Sequence, residues 1–359
     1  MTTPPHRVMI HPAAYDTCLD AVAKAFDLFC PDVSGKTVLL KPNVLRASEA
    51  GEGIVTHPSV LAAAVACLEA RGPKKIIVGD NPGLFSYGAN AAAFEQTGLM
   101  AAAGAHYRNI GDVGVEVPFD DRYGGRLSVS RVVMEADVVI SLPKFKTHGL
   151  TVITGAIKNS YGILPGAQKA VLHRKAGTPE AFHDLIVDIF RLRVPDFFIM
   201  DAVVGMEGNG PASPELRTVG RILASDNAVA LDAVMARMMG LDPARLRFLK
   251  RAHETGLGSL DAADTEVIGS LTVIEGYKIP PLGGEAIQDN SAIQEVIRDR
   301  TLLRPKADPT RCTACAMCID HCPVSALTMG DDVPEVDGES CITCFCCQEI
   351  CPEKAIALQ

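Results

Sequence analysis

The sequence predicts an α/β protein: a large domain on a mostly parallel sheet, followed by a small α+β unit organised around metal. Three observations lead there. Continuously apolar runs of strand length alternate with helix-length stretches through residues 1–303, the pattern of a sheet covered by helices on both faces. Nine of the 12 cysteines fall between Cys312 and Cys351. The length, 359 residues, exceeds the ~100–200 residues usual for one domain.

Taken in order, strands are expected at Thr37–Lys41, Lys75–Gly79, Asp137–Leu142 and Phe197–Asp201, each a run of β-branched and aliphatic residues. Helices are expected over 16–29, 58–71, 90–104 and 179–193. Pro58 suits a first helical position, where its missing N–H is no loss. Ala-rich 226–240 and the stretch 242–256 read as further helices, 265–285 as short strands and loop, and 286–301 as a helix. Arg304–Pro309 is the expected linker, dividing the chain into 1–303 and 304–359.

Composition narrows the function. A net charge of −9 and a pI near 5.5 argue against a general nucleic-acid binder, which carries a basic excess. No apolar run approaches the ~18–20 residues of a membrane helix; the best, Val60–Leu68, is half that. The first residues lack the apolar core of a signal peptide. The expectation is a soluble cytoplasmic protein with no membrane partner.

The cysteines repeat. Cys312-x2-Cys315-x2-Cys318-x3-Cys322-Pro323 returns 29 positions later as Cys341-x2-Cys344-x2-Cys347-x3-Cys351-Pro352, which predicts a pseudo-twofold unit with two metal centres. Structural zinc normally uses two CxxC pairs or mixed Cys/His sets and fits this spacing poorly. The run resembles the bacterial two-cluster ferredoxins. That resemblance implies two [4Fe-4S] clusters, one held by Cys312, Cys315, Cys318 and Cys351, the other by Cys341, Cys344, Cys347 and Cys322. Cys346 is a ninth cysteine without a ligand role. A redox partner protein follows from such a module.

In the large domain, each expected strand runs into a polar loop: Lys41-Pro-Asn43, Gly79-Asp80-Asn-Pro82, Pro143-Lys144-Phe-Lys146-Thr-His148 and Asp201 onward. Ligands of open α/β sheets bind beyond the carboxyl ends of strands. Lysines and histidines gather there (Lys41, His57, Lys144, Lys146, His148, Lys158, His173), so an anionic small molecule is the expected ligand. For each residue alone, a solvated surface lysine or a structural histidine is the plainer reading; their gathering is what suggests a site. No GxGxxG occurs, and Gly35-Lys36-Thr37 precedes a strand where a phosphate loop would precede a helix.

These motifs, with Thr56-His57-Pro58 and Gly155-Ala-Ile-Lys158-Asn159, resemble the family known as domain of unknown function 362. His148, Gly155-Ala-Ile-Lys158, Pro165-Gly166 and His173 also resemble the core of nickel-pincer lactate racemases, with Ala156 where that family has glycine. The second resemblance implies an α/β fold in which Lys158 tethers a cofactor, His173 binds metal, and His148 and His57 move protons. Together the readings give His148, His57 and Lys158 as candidate catalytic residues. Lys41, Asn43, Asp80, Lys144, Lys146 and His173 are candidates for holding a substrate or an additional, unidentified cofactor. The leading function is an iron–sulfur oxidoreductase. The alternatives are an electron carrier that docks partners without chemistry of its own, and a racemase- or isomerase-like enzyme with structural clusters.

Overall fold

A computed structural model describes residues 6–83, 88–280 and 304–358. The strands in chain order are β1 (His6–Pro12), β2 (Thr37–Pro42), β3 (Lys75–Val78), β4 (Gly114–Pro118), β5 (Arg126–Ser130), β6 (Val138–Leu142), β7 (Lys144–His148), β8 (Val152–Ile153), β9 (Phe197–Met206), β10 (Leu216–Ser225) and β11 (Thr265–Gly269). A nine-stranded sheet runs β11-β1-β10-β9-β6-β2-β3, with β7 and β8 branching from β9. Its β3-β2-β6-β9 half is parallel, as is the β1-β11 edge; β1-β10 and β10-β9 are antiparallel. The fold class is therefore as expected, an α/β protein with a mostly parallel sheet.

The central strands are apolar because both faces are covered. Val38 and Leu40 pack toward one core with Val60, Leu61 and Phe94, while Leu39 and Val139 enter the other with Phe182, Ile186 and Phe190. Helix ends follow local chemistry. Thr178 caps the helix Pro179–Leu192 by accepting from the Ala181 amide (3.2 Å), and Asn227 caps Ala228–Met238 by accepting from the Ala230 amide (3.0 Å). The expected helix 90–104 is two pieces, Ala89–Gln96 and Leu99–Ala103, interrupted at Gly98, whose φ is +77°. Arg304–Pro309 is not a bare linker: Pro305–Ala307 forms β12 and pairs with β15 (Ile356–Leu358), while β13 (Leu327–Met329) pairs with β14 (Pro334–Val336). The expected helix 286–301, and the 281–285 end of the stretch before it, lie outside the described residues.

One buried carboxylate sets the chain's course near the rim. Asp232, fully buried, accepts from the amides of Ala156 (2.6 Å) and Ile157 (3.0 Å) at the start of the helical turn Ala156–Asn159. Gly155 precedes it at φ +52°, and a Cβ there would sit 2.3 Å from Asp232 Oδ1. Lys158 rides on this turn. Replacing Asp232 by Ala leaves two buried amides without acceptors. We expect a loss of about 2–4 kcal/mol in a denaturant titration, with Asp232→Asn intermediate because it keeps one acceptor oxygen.

Candidate functional site

The lysines divide into two groups. Lys41 Nζ is fully buried, 2.7 Å from Asp80 Oδ1, and donates to the Asn159 carbonyl at 2.6 Å. Asp80 Oδ2 accepts from the Val44 amide at 2.8 Å, so this ion pair ties the loops after β2 and β3 to the Lys158 turn. Lys144 Nζ is likewise buried, 2.7 Å from Asp201 Oδ2, and donates to the Tyr15 hydroxyl at 3.0 Å. The register of β7 on β9 shifts between Lys144 and Lys146. That shift separates the surroundings of two residues which simple alternation would place on one face.

Among the described residues, Lys146, Lys158 and Lys169 have no carboxylate partner within ion-pair distance. They line a cavity with Asn43, Asp80, His148, Asn159, Tyr161 and His173. Lys146 donates to the Ile54 carbonyl (2.7 Å). Lys169 donates to the carbonyls of Asn81 and Pro82. Burial, then the neighbouring charge of Lys158, lowers Lys146 to about 7; burial, with Lys41 and Lys158 nearby, lowers Lys169 to about 7 despite the opposing pull of Asp80. Burial also lowers Lys158, whose Nζ lies 5.9 Å from the centre of the Tyr161 ring. Asn43 Oδ1 and Thr154 Oγ1, both on the cavity wall, are closed to solvent and have no hydrogen-bond partner among the described residues.

The far wall comes from the cysteine-rich unit: His321, Cys346, Glu349 and Ile350. His148 Nδ1 accepts from the amides of Leu150 (3.0 Å) and Thr151 (3.3 Å). Its one ring proton is therefore assigned to Nε2, which faces Glu349 Oε1 at 2.9 Å. Burial and the charge of Lys158 lower His148 to about 3. Burial would raise Glu349, but the hydrogen bond from His148 and the cations nearby outweigh it and hold the carboxyl at about 2. A neutral imidazole thus donates to a carboxylate across the seam. His173, lowered to about 4 chiefly by burial, stacks on Phe182 (4.2 Å) beside Tyr161. Phe345 completes the seam, 1% exposed and packed within the core of the large domain. Gln348 donates to the Asn209 carbonyl at 2.9 Å.

The cavity thus gathers Asn43, Asp80, Lys146, His148, Lys158 and His173 from the sequence-derived set. Lys41 is not on its wall, being held beneath by Asp80. His57 and Lys144 are elsewhere, which corrects the expectation that they share the site. The His57 ring stacks on Tyr15 (3.6 Å), its Nδ1 accepts from the Ser59 amide to cap the helix Pro58–Glu69, and its own amide donates to Asp201. Sequence reasoning missed Lys169 and Glu349. Lys169 lies four residues before His173 on one helix, hence on the same face, a readable signal. Glu349 carries none, because only folding brings it to His148.

The cysteines surround two further cavities. Cys312, Cys315, Cys318 and Cys351 line one; Cys322, Cys341, Cys344 and Cys347 line another. All nine cysteines here are unpaired thiols. The 29-residue repeat is also written in the backbone. Ala314, Ala316 and Ser325 have φ of +51° to +64° together with Thr343, Phe345 and Lys354, their counterparts. Such conformations cost roughly 1–2 kcal/mol each for residues with a Cβ and persist where surroundings enforce them. The Ala326 amide donates to Cys322 Sγ (3.2 Å) and the Ala355 amide to Cys351 Sγ (3.3 Å), again 29 apart. Four sulfurs round a cavity, with amides directed at sulfur, fit a cube of iron and sulfide rather than a single ion.

An α/β domain whose lysine-lined cavity is closed by a paired-cysteine unit defines an iron–sulfur protein of electron transfer. Residues 304–352 match the 4Fe-4S dicluster domain, and residues 38–237 match the domain of unknown function DUF362; the chain belongs to the DUF362 family. It is 32% identical over 259 residues to a thylakoid-associated protein of Synechocystis sp., covering 68% of this chain and 77% of that one. Among solved structures it is similar to the lactate racemase apoprotein from Thermoanaerobacterium thermosaccharolyticum (TM-score 0.42, 13% identity, 67% of this chain). It is also similar to a protein from Thermotoga maritima (TM-score 0.36, 11% identity, 68% of this chain). The chain spans 58% of the length of each of these two. Among the described residues no helix is long and apolar enough to cross a membrane.

The buried amines have a measurable consequence. With folded values near 7 against an ordinary 10.5, the unfolded chain binds more protons than the folded one between those limits, so stability rises with pH there. Thermal unfolding of the ligand-free protein is expected at higher temperature at pH 9 than at pH 7. Lys146→Met and Lys169→Met should each remove part of that rise; an unchanged pH slope in both would refute it.

Proposed function

We propose that the chain is an oxidoreductase that delivers electrons from two [4Fe-4S] clusters to a small organic anion in the lysine-lined cavity. The observation that carries this reading is that one cavity has unpaired amines on one wall and the second cysteine loop, through Cys346 and Glu349, on the other. Cys312, Cys315, Cys318 and Cys351 would hold one cluster and Cys341, Cys344, Cys347 and Cys322 the other. When bound, the clusters supply electrons one at a time. Lys158 holds the anion. Lys146 and Lys169, near 7, can hold or release a proton at neutral pH, and a reduction taking two electrons needs two protons. Glu349 fixes the His148 ring so that its Nδ1 stays turned to the backbone. The donor would be a one-electron carrier protein, docking over the exposed Cys315.

A second reading has its own support, since His148, Lys158 and His173 share the cavity: a proton-transfer isomerase of 2-hydroxy acids with structural clusters. The two separate on electron flow. Dithionite-reduced protein should be reoxidised anaerobically by an organic anion, at least tenfold more slowly in Lys158→Ala. Solvent hydrogen entering a 2-hydroxy acid without any electron donor would favour the isomerase. Reduced clusters that yield electrons only to a protein partner would leave the chain a carrier.

The crossed ligand sets make a separate prediction. Of about eight irons per chain, Cys351→Ala should lose the same cluster signal as Cys315→Ala, and Cys322→Ala the same as Cys344→Ala, by iron analysis and electron paramagnetic resonance. Loss pairing Cys351 with Cys344 would overturn the assignment.

A further inference from the structure

Arg46 lies in the loop after β2, on the large domain, yet its side chain is sealed at the seam with the cysteine-rich unit. It is 4% exposed. Nη1 donates to the Ala47 carbonyl at 2.9 Å. Among the described residues, Nε and Nη2 are closed to solvent with no hydrogen-bond acceptor, and the one carboxylate oxygen within 4 Å, Glu52 Oε2, stands 3.9 Å from Nη2. Glu52 is itself engaged across the seam by Lys354 Nζ at 2.9 Å. The other negative groups acting on Arg46 are Cys351 and Glu353. A buried guanidinium with two idle donors is costly to keep, so something anionic in the assembled protein must answer it. Glu52 does so only in part.

We propose that Arg46 is the counter-charge of the cluster whose cavity Cys351 lines, and that it raises that cluster's reduction potential. A cube held by four thiolates carries net negative charge, and reduction adds one electron to it. A fixed cation at the Cys351 side stabilises the reduced form more than the oxidised form. The large domain thereby sets the potential of one cluster. The second cluster, on the Phe345–Glu349 side, has a different neighbourhood and is not under this control. The inference requires the clusters and their ligand sets but not any particular substrate.

Redox titration of the anaerobically purified full chain, followed by electron paramagnetic resonance, tests this. The cluster signal is assigned beforehand as the one lost in Cys351→Ala. Arg46→Gln should shift that midpoint to more negative potential and leave the other in place. Arg46→Lys, which keeps the charge, should restore most of the shift. Glu52→Gln breaks the bridge to Lys354 but removes a negative charge, so it should shift the same midpoint in the positive direction. If Arg46 merely fastened the seam, Arg46→Gln and Glu52→Gln would both loosen it, admit water and move the midpoint the same way. That result, or an unmoved midpoint in Arg46→Gln with full iron content, would overturn the proposal.

Discussion

The hydrogen bond from His148 to Glu349 joins the two units at the point where chemistry is possible, and much of the site depends on it. The tail supplies His321, Cys346, Glu349 and Ile350 to the cavity that the imidazole and the amines of Lys146, Lys158 and Lys169 also line. With it, the amines sit in a partly closed space whose one unneutralised carboxylate is already taken by the imidazole. The charge left over in the cavity is positive, in a protein whose overall charge is −9. Local field and net charge therefore point in opposite directions.

Two ion pairs make that geometry possible without taking part in it. Lys41–Asp80 and Lys144–Asp201 are dry and carry further hydrogen bonds from both partners, conditions under which a buried pair is tolerated. Removing one partner would strand a charge; keeping both fixes three loops and a helix start in place. The contrast between these lysines and the three unpaired ones is sharper than their sequence contexts suggest. All five lie in or beside Gly-, Pro- and Asn-rich rim segments, and only the partner on another strand tells them apart.

That explains what was legible beforehand. Strands β2, β3, β6 and the first half of β9 announced themselves as apolar runs, because burial on both faces leaves no room for polar residues. Strand β10 did not: Leu216–Arg221 is only half-buried or exposed and carries Arg217, Thr218 and Arg221, so no run forms. β1 breaks its apolar run with Arg7, two histidines and Pro12. At the site, spacing between His148, Lys158 and His173 was visible as a motif. Their company with Glu349, about 190 residues further along, could not be, since no local pattern encodes a contact across domains. His57 misled for the same reason: a histidine before Pro58 is read equally well as a proton carrier or as a helix cap, and Tyr15 and Ser59 decide for the cap.

The cysteine-rich repeat is symmetric in what holds metal and asymmetric in what touches the large domain. The six left-handed residues, the eight paired cysteines and the two amide-to-sulfur bonds all obey the 29-residue shift. The positions between them do not. Phe345 answers to Ala316, Cys346 to Met317, Gln348 to Ile319 and Glu349 to Asp320. In the second half these residues fill the core, line the cavity, bond Asn209 and reach His148; in the first half Asp320 is exposed and Ala316 has only a methyl to offer. The same backbone, with the same strained turn, presents an anchor in the second half and only His321 to the cavity in the first. Which half docks is thus decided by side chains alone. Docking by the second half leaves the first loop and Cys315 in solvent, free for the approach of another molecule.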